Sequence, residues 1–186
     1  MSKTLVIGCD FDDTMTNLLY AWVTWLNRRY NLNVMVEDIK SWKMETVFPT
    51  LTQEQICEPL RTPCFWDTVC PREHAVDTIT KIINDGHAFY VVTSTDYRVM
   101  PEKAKRCLFK HFPFLDKSQL IITYNKQLLN LDVLIDDALH NMVGGKYVKI
   151  LIDMPHNRQS NNIEDFRVYG WDEIYPIIQN LSNVVD

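Results

Sequence analysis

The sequence predicts an α/β fold: a Rossmann-like core of parallel sheet with helices on both faces, and a small, mainly helical cap inserted after the first strand. Three observations point to it. Short apolar runs at Leu5-Val6-Ile7, Ala88-Phe89-Tyr90-Val91-Val92, Leu120-Ile121-Ile122, Val133-Leu134-Ile135 and Val148-Lys149-Ile150-Leu151-Ile152 have the composition of strands buried on both faces. Between most of them lie stretches whose apolar residues recur at three- and four-residue steps, as in amphipathic helices. The alternation lapses once, from Asn31 to Pro71, where periodicity weakens and prolines fall at Pro49, Pro59, Pro63 and Pro71. Residues 1–14 and 73–186 are therefore assigned to the core and 15–72 to the cap.

The elements follow in order. After the first strand, Leu18, Leu19, Trp22, Val23, Trp25, Leu26 and Tyr30 form the broad stripe of a helix. The cap concentrates aromatics at Trp42, Phe48, Phe65 and Trp66, which suit either a satellite core or contact with a ligand. Ala75, Val76, Ile79, Ile82 and Ile83 mark a helix over 73–85, stopped by Gly86. Pro101 opens another helix, running to about Phe112. The last helix starts at about Trp171.

Bulk properties exclude several classes. A chain of 186 residues can bury one substantial core with a small accessory, and 46% hydrophobic with 23% charged residues is ordinary for a globular protein. A net charge of −5 and the lack of any Lys/Arg block argue against a nucleic-acid polymer as partner. The five cysteines, Cys9, Cys57, Cys64, Cys70 and Cys107, show no CxxC spacing, which points to a reducing compartment. No apolar run approaches a membrane span, and no charged and apolar leader precedes the first strand, so a cytoplasmic location is expected. The oligomeric state is left open, a homodimer among the options.

Three strand ends carry chemistry. The first runs into Gly8-Cys9-Asp10-Phe11-Asp12-Asp13-Thr14, the second into Thr93-Ser94-Thr95, and the strand at 133–135 into Asp136-Asp137. Carboxyl ends of neighbouring parallel strands lie side by side, so these groups should converge on one crevice. Carboxylates gathered there need a cation or a proton to offset their repulsion, and a hard divalent metal suits them. The first stretch read alone could instead be an Asp-rich turn with Thr14 capping the following helix. The histidines, His74, His87, His111, His140 and His156, show no metal-ligand spacing.

Asp10-x-Asp12-x-Thr14 after an apolar strand resembles the first motif of the haloacid dehalogenase-like phosphohydrolases. Thr93-Ser94 resembles the second motif, Lys126 the third and Leu134-Ile135-Asp136-Asp137 the fourth, in the superfamily's order. The run from Thr123 to Asp137 and the short cap look most like the 5'(3')-deoxyribonucleotidases. The chain departs from that family at Asp13, where glycine is usual, and at Thr95-Asp96-Tyr97-Arg98, where a proline and a lysine are more typical; Arg98 is read as a solvated residue.

The resemblance implies a Mg²⁺-dependent phosphatase of nucleoside monophosphates, deoxyribonucleotides foremost, working through an aspartyl-phosphate, with Asp10 as nucleophile and Asp12 as general acid and base. Asp10, Asp12 (through its carbonyl), Asp136 and Asp137 would serve the metal, the choice within the last pair staying open. Thr93, Ser94 and Lys126 would bind phosphate. Trp42, Phe65 and Trp66 would stack on a nucleobase. Sugar phosphates and phosphoamino acids remain as alternative substrates, and a non-catalytic phospholigand-binding protein as an alternative class.

Overall fold

The structure is a computed structural model and describes residues 3–41, 43–159 and 163–183. Six parallel strands form one sheet in the order β3-β2-β1-β4-β5-β6. They are β1 (Val6–Cys9), β2 (Ala88–Thr93), β3 (Leu120–Ile122), β4 (Val133–Asp136), β5 (Val148–Ile152) and β6 (Phe166–Val168). The chain steps outward from β1 to β3, returns to the other side of β1, and steps outward again. That reversal leaves a crevice at the carboxyl ends of β1 and β4. The edge strand β6 is absent from the sequence reading. It holds three residues with Arg167 in the middle, ion-paired to Asp153 and Glu164, so no apolar run announces it.

The helices are α1 (Leu18–Tyr30), α2 (Gln53–Arg61), α3 (Ala75–Asn84), α4 (Met100–Lys103), α5 (Phe109–His111) and α6 (Ile174–Asn183). Helix α2 starts with a reciprocal cap: Thr52 Oγ1 accepts the Gln55 amide, and Gln55 Oε1 accepts the Thr52 amide. Gly86, at φ 88°, follows α3 as anticipated. The helix expected from Pro101 to Phe112 is broken into α4 and α5 by a π turn over Ala104–Leu108. No helix covers the link from β4 to β5, which is too short for a full crossover helix. There Leu134 and Leu151 are covered by Met142 and Tyr147, with Leu131 and Leu139 packed alongside.

Apolar residues of 15–72, among them Ile39, Met44, Phe48, Ile56, Phe65 and Trp66, join the same hydrophobic cluster as Ile7 and Ile135 of the sheet. No satellite core separates them. The two crossings of this segment are tied to each other: Asn17 N donates to Cys70 O, Cys70 N to Asn17 Oδ1, and Arg72 N to Met15 O. Among the described residues, no helix is long and apolar enough to cross a membrane.

The register of β1 on β4 is held from below by Asp132. Its Oδ2 accepts the Val6 amide at 2.7 Å, its Oδ1 accepts Lys3 Nζ at 2.7 Å, and its own amide donates to Val6 O at 2.8 Å. Partial burial works to raise the Asp132 carboxyl, but the bonds from Lys3 and Val6 win and hold it below the usual carboxylate range. A depressed carboxyl contributes stability above its unfolded pKa, and that contribution is lost as pH falls through the folded value. Asp132→Asn should therefore cost about 1–2 kcal/mol at neutral pH by urea denaturation. The gap to the parent protein should begin to narrow below about pH 4 and close once pH passes below the folded value; a gap unchanged through that fall contradicts the assignment.

Candidate active site

Parallel pairing of β1 with β4 sets the first contact. Cys9 lies opposite Ile135 and the Asp10 amide donates to Ile135 O at 2.8 Å, so Asp10 and Asp136 emerge beside each other. Carboxylate oxygens of Asp10, Asp136 and Asp137, all buried, lie within 4.8 Å of one another. Lys126 enters from the 3-10 turn after β3, fully buried, and places Nζ 2.5 Å from Asp10 Oδ1 and 2.8 Å from Asp136 Oδ2. Asp136 also accepts the Ala138 amide at 2.8 Å, and both of its oxygens accept Asn141 Nδ2, at 3.2 and 3.0 Å.

Asp137 is gripped from two other loops. Thr14 Oγ1 donates to its Oδ1 at 3.0 Å, and His156 Nε2 lies 2.9 Å from its Oδ2. Asn157 Nδ2 donates to its carbonyl at 2.8 Å. The Thr14 carbonyl in turn accepts Trp171 Nε1 at 2.8 Å. Thr14 thus belongs to the site and does not cap α1.

Asp12 sits on the cavity side and pairs with a second buried lysine, Lys103, the last residue of α4. Lys103 Nζ also donates to Thr93 Oγ1 and Thr95 Oγ1, both at 3.3 Å, and lies over the rings of Phe11 and Trp66 at 5.2 and 5.4 Å. The loop after Thr93-Ser94 lacks a lysine, and α4 supplies one. Ser94 lines the cavity while its Oγ donates to Thr123 O at 2.9 Å. Thr93 is buried behind it, in contact with Lys103.

The charges do not balance. Asp10, Asp12, Asp136 and Asp137 face Lys103 and Lys126, which leaves an excess of two negative charges. Burial pushes the Asp10 carboxyl well above the usual range; Lys126 opposes this, and Asp136, Asp12 and Asp137 add to it. Asp136 is raised by burial as well, again against Lys126. Burial also opposes the charge on Lys126, yet Asp10 and Asp136 hold its pKa above the ordinary lysine value. Asp12 Oδ1 is buried with no hydrogen-bond partner among the described residues. Hard oxygen donors with this surplus of negative charge fit a divalent cation, and Asp10, Asp136 and Asp137 are the residues that could hold it.

Above these groups opens a cavity of about 510 Å³, lined at its floor by Asp10, Asp12, Ser94 and Asp137 and along its wall by Leu18, Trp22, Leu60, Trp66 and Val99. Of the three aromatics predicted to meet a base, Trp66 lines the cavity. Phe65 does not: it is buried and packs edge-on to Trp66, with ring centroids 5.4 Å apart. Trp42 lies outside the described residues. Arg98 is exposed and closes a bidentate pair with Asp96, whose carboxyl is held at about 2 by hydrogen bonds from Arg98.

Lys103, Asn141 and His156 escape the sequence reading, and each leaves a trace in it. Lys103 stands on the apolar stripe with Val99, Met100 and Cys107, a place where a lysine needs a buried partner. His156 follows the carboxyl end of β5, the position that flags the other site residues. Asn141 follows Asp136-Asp137 by one short turn.

Residues 4–183 match the family described as 5' nucleotidase, deoxy (pyrimidine), cytosolic type C. A 5'(3')-deoxyribonucleotidase of Clostridium acetobutylicum is 31% identical over 180 residues, spanning 95% of this chain and 96% of that one. One of Bacillus subtilis is 31% identical over 170 residues, spanning 91% and 95%. Among solved structures, a haloacid dehalogenase-like hydrolase of Streptococcus pneumoniae superposes with a TM-score of 0.64 at 16% identity, covering 95% of this chain and 99% of that one. The four-part acidic site at the crevice of this sheet and these matches agree: the chain belongs to the 5'(3')-deoxyribonucleotidase-type family of haloacid dehalogenase-like phosphoric monoester hydrolases.

Proposed function

We propose that the protein is a Mg²⁺-dependent 5'(3')-deoxyribonucleotidase acting through an aspartyl-phosphate on Asp10. One observation carries the reading: Asp10, Asp12 and Asp137 line the floor of a cavity whose wall is apolar and aromatic, with Lys126 and Asp136 buried behind them. The names of the Clostridium and Bacillus relatives support the substrate class. The free cysteines suit a reducing, cytoplasmic setting.

In this reading residues 15–72 are the cap and supply much of the apolar wall, while the remainder is the core. Asp10, Asp136 and Asp137 would hold the Mg²⁺, which would supply screening of the charge between a phosphate dianion and an attacking carboxylate. The Asp10 carboxylate attacks phosphorus, and the P–O bond to the nucleoside breaks as Asp12 gives its proton to the leaving alkoxide. Asp12, now ionised, takes a proton from water. That water attacks phosphorus, breaks the bond to Asp10 and releases phosphate. Lys126 keeps Asp10 anionic between turnovers and offsets the charge that builds on the phosphoryl group. Lys103 holds Asp12 toward the cavity, and Trp66 stacks on the base.

The first test is phosphate release from deoxynucleoside and ribonucleoside 5'- and 3'-monophosphates beside sugar phosphates. Release should favour deoxynucleotides and stop with chelator; equal rates on sugar phosphates defeat the substrate assignment, and no release from any ester defeats the enzyme assignment. Replacing the reacting carboxylates comes next. Asp12→Asn should lower kcat by roughly 10²–10⁴ and leave the Mg²⁺-induced rise in melting temperature intact. Asp10→Asn should abolish turnover and form no acid-stable, base-labile phosphoprotein in a quench experiment where the parent does. The wall is probed by Trp66→Ala, which should raise KM for nucleotides about tenfold and KM for a small aliphatic phosphate hardly at all; equal effects on both substrates remove Trp66 from base binding.

A further inference from the structure

Helix α1 begins without an ordinary N-terminal partner. Asn17, in the capping position, makes no side-chain bond to the helix, and no acidic residue lies in the first turn. The Asn17 Oδ1 is occupied by the Cys70 amide at 2.9 Å. Yet the first turn of any helix leaves amides that need acceptors. The Leu19 amide finds its acceptor six residues upstream, in Oδ1 of Asp13, at 2.7 Å.

Asp13 is 1% exposed, and its backbone sits at φ 56°, the left-handed region that glycine, asparagine and aspartate adopt most readily. Arg72 Nη1 donates to its carbonyl at 3.1 Å, so main chain and side chain are both held. Its Oδ2 is buried with no hydrogen-bond partner among the described residues. The side chain therefore makes one directed bond, and that bond is to α1. Helix α1 contributes Leu18 and Trp22 to the cavity wall, and Asp12, the neighbour of Asp13, lies on its floor.

We propose that Asp13 is a positioning residue. It fastens the N-terminus of α1 to the loop that carries Asp10 and Asp12, and so sets how far the apolar wall stands from the reacting carboxylates. A glycine here would provide the left-handed turn without the anchor. The inference rests on the nucleotidase reading only for the choice of substrate.

The test compares Asp13→Gly with Asp13→Asn. Glycine keeps the backbone conformation and removes the acceptor; asparagine tolerates the same conformation and keeps Oδ1. In Asp13→Gly, hydrogen exchange followed by NMR should show the Leu19 amide exchanging faster. KM for the best deoxynucleotide should rise about fivefold, the worth of one capping bond, with kcat within about twofold of the parent. Asp13→Asn should restore both slow exchange and the low KM, which a general loss of stability would not do. If the glycine variant does not fold, amide exchange in the parent decides: the Leu19 amide should be more protected than that of Leu18, which Asp13 does not hold, and equal protection overturns the proposal. Unchanged Leu19 exchange on loss of the acceptor overturns the proposal, and so does faster exchange with KM unmoved. Should the parent hydrolyse no nucleotide, the nucleotidase reading falls. The anchor is then still judged by amide exchange and by KM on whichever phosphomonoester is turned over.

Discussion

A single buried ammonium between two carboxylates is the constraint on which the rest of the site depends. Asp10 and Asp136 leave adjacent parallel strands in register, and without a cation between them their repulsion would be felt in a medium far less screening than water. Lys126, at 0% exposure, answers that repulsion, and it is itself tolerable in the interior only because both acids are there. Removing one partner from such a group typically costs about 3–5 kcal/mol, since an uncompensated charge stays behind. The three residues are thus one unit, built from β1, β4 and the turn after β3. The further supports, Asn141 on both oxygens of Asp136 and Thr14 on Oδ1 of Asp137, fix how these carboxylates are turned.

A second unit repeats the logic nearer to solvent. Lys103 pairs with Asp12 and touches two threonines of the loop after β2, while the rings of Phe11 and Trp66 flank its ammonium. Each of the two acids assigned to the chemistry thereby has its own lysine, from a different element. The two lysines still leave the acidic cluster with a surplus of negative charge, which is why a divalent cation is part of the chemistry we assign.

Much of this was legible in the chain. Five strands could be read because buried parallel strands are continuous apolar runs, and Asp10, Asp12, Thr93, Ser94, Asp136 and Asp137 could be read because they end such runs. Edge strand β6 could not, since a three-residue strand with a central arginine has no apolar signature. Phe65 and Trp66 are adjacent aromatics of one short turn and look equivalent in sequence; both are buried in the core, and only their packing gives Trp66 an edge on the cavity. Of the two readings weighed for the first acidic stretch, a catalytic motif and a helix cap by Thr14, the structure sets Asp10 and Asp12 on the cavity and gives the capping bond to a different residue. Asp13 performs the capping, with Thr14 turned to Asp137.

The sequence by itself determined the architecture and the list of acids, because strand burial and strand ends are local properties written in short runs of residues. Only the tertiary structure decided which cation answers which acid: that Lys103 faces Asp12, that Lys126 sits between Asp10 and Asp136, and that Asp13 holds the Leu19 amide. Those pairings join residues as far as 116 positions apart, through distances and burial that no local pattern encodes. Electrostatic worth in a protein interior depends on those two quantities, so the partners had to be seen in place before their roles could be assigned.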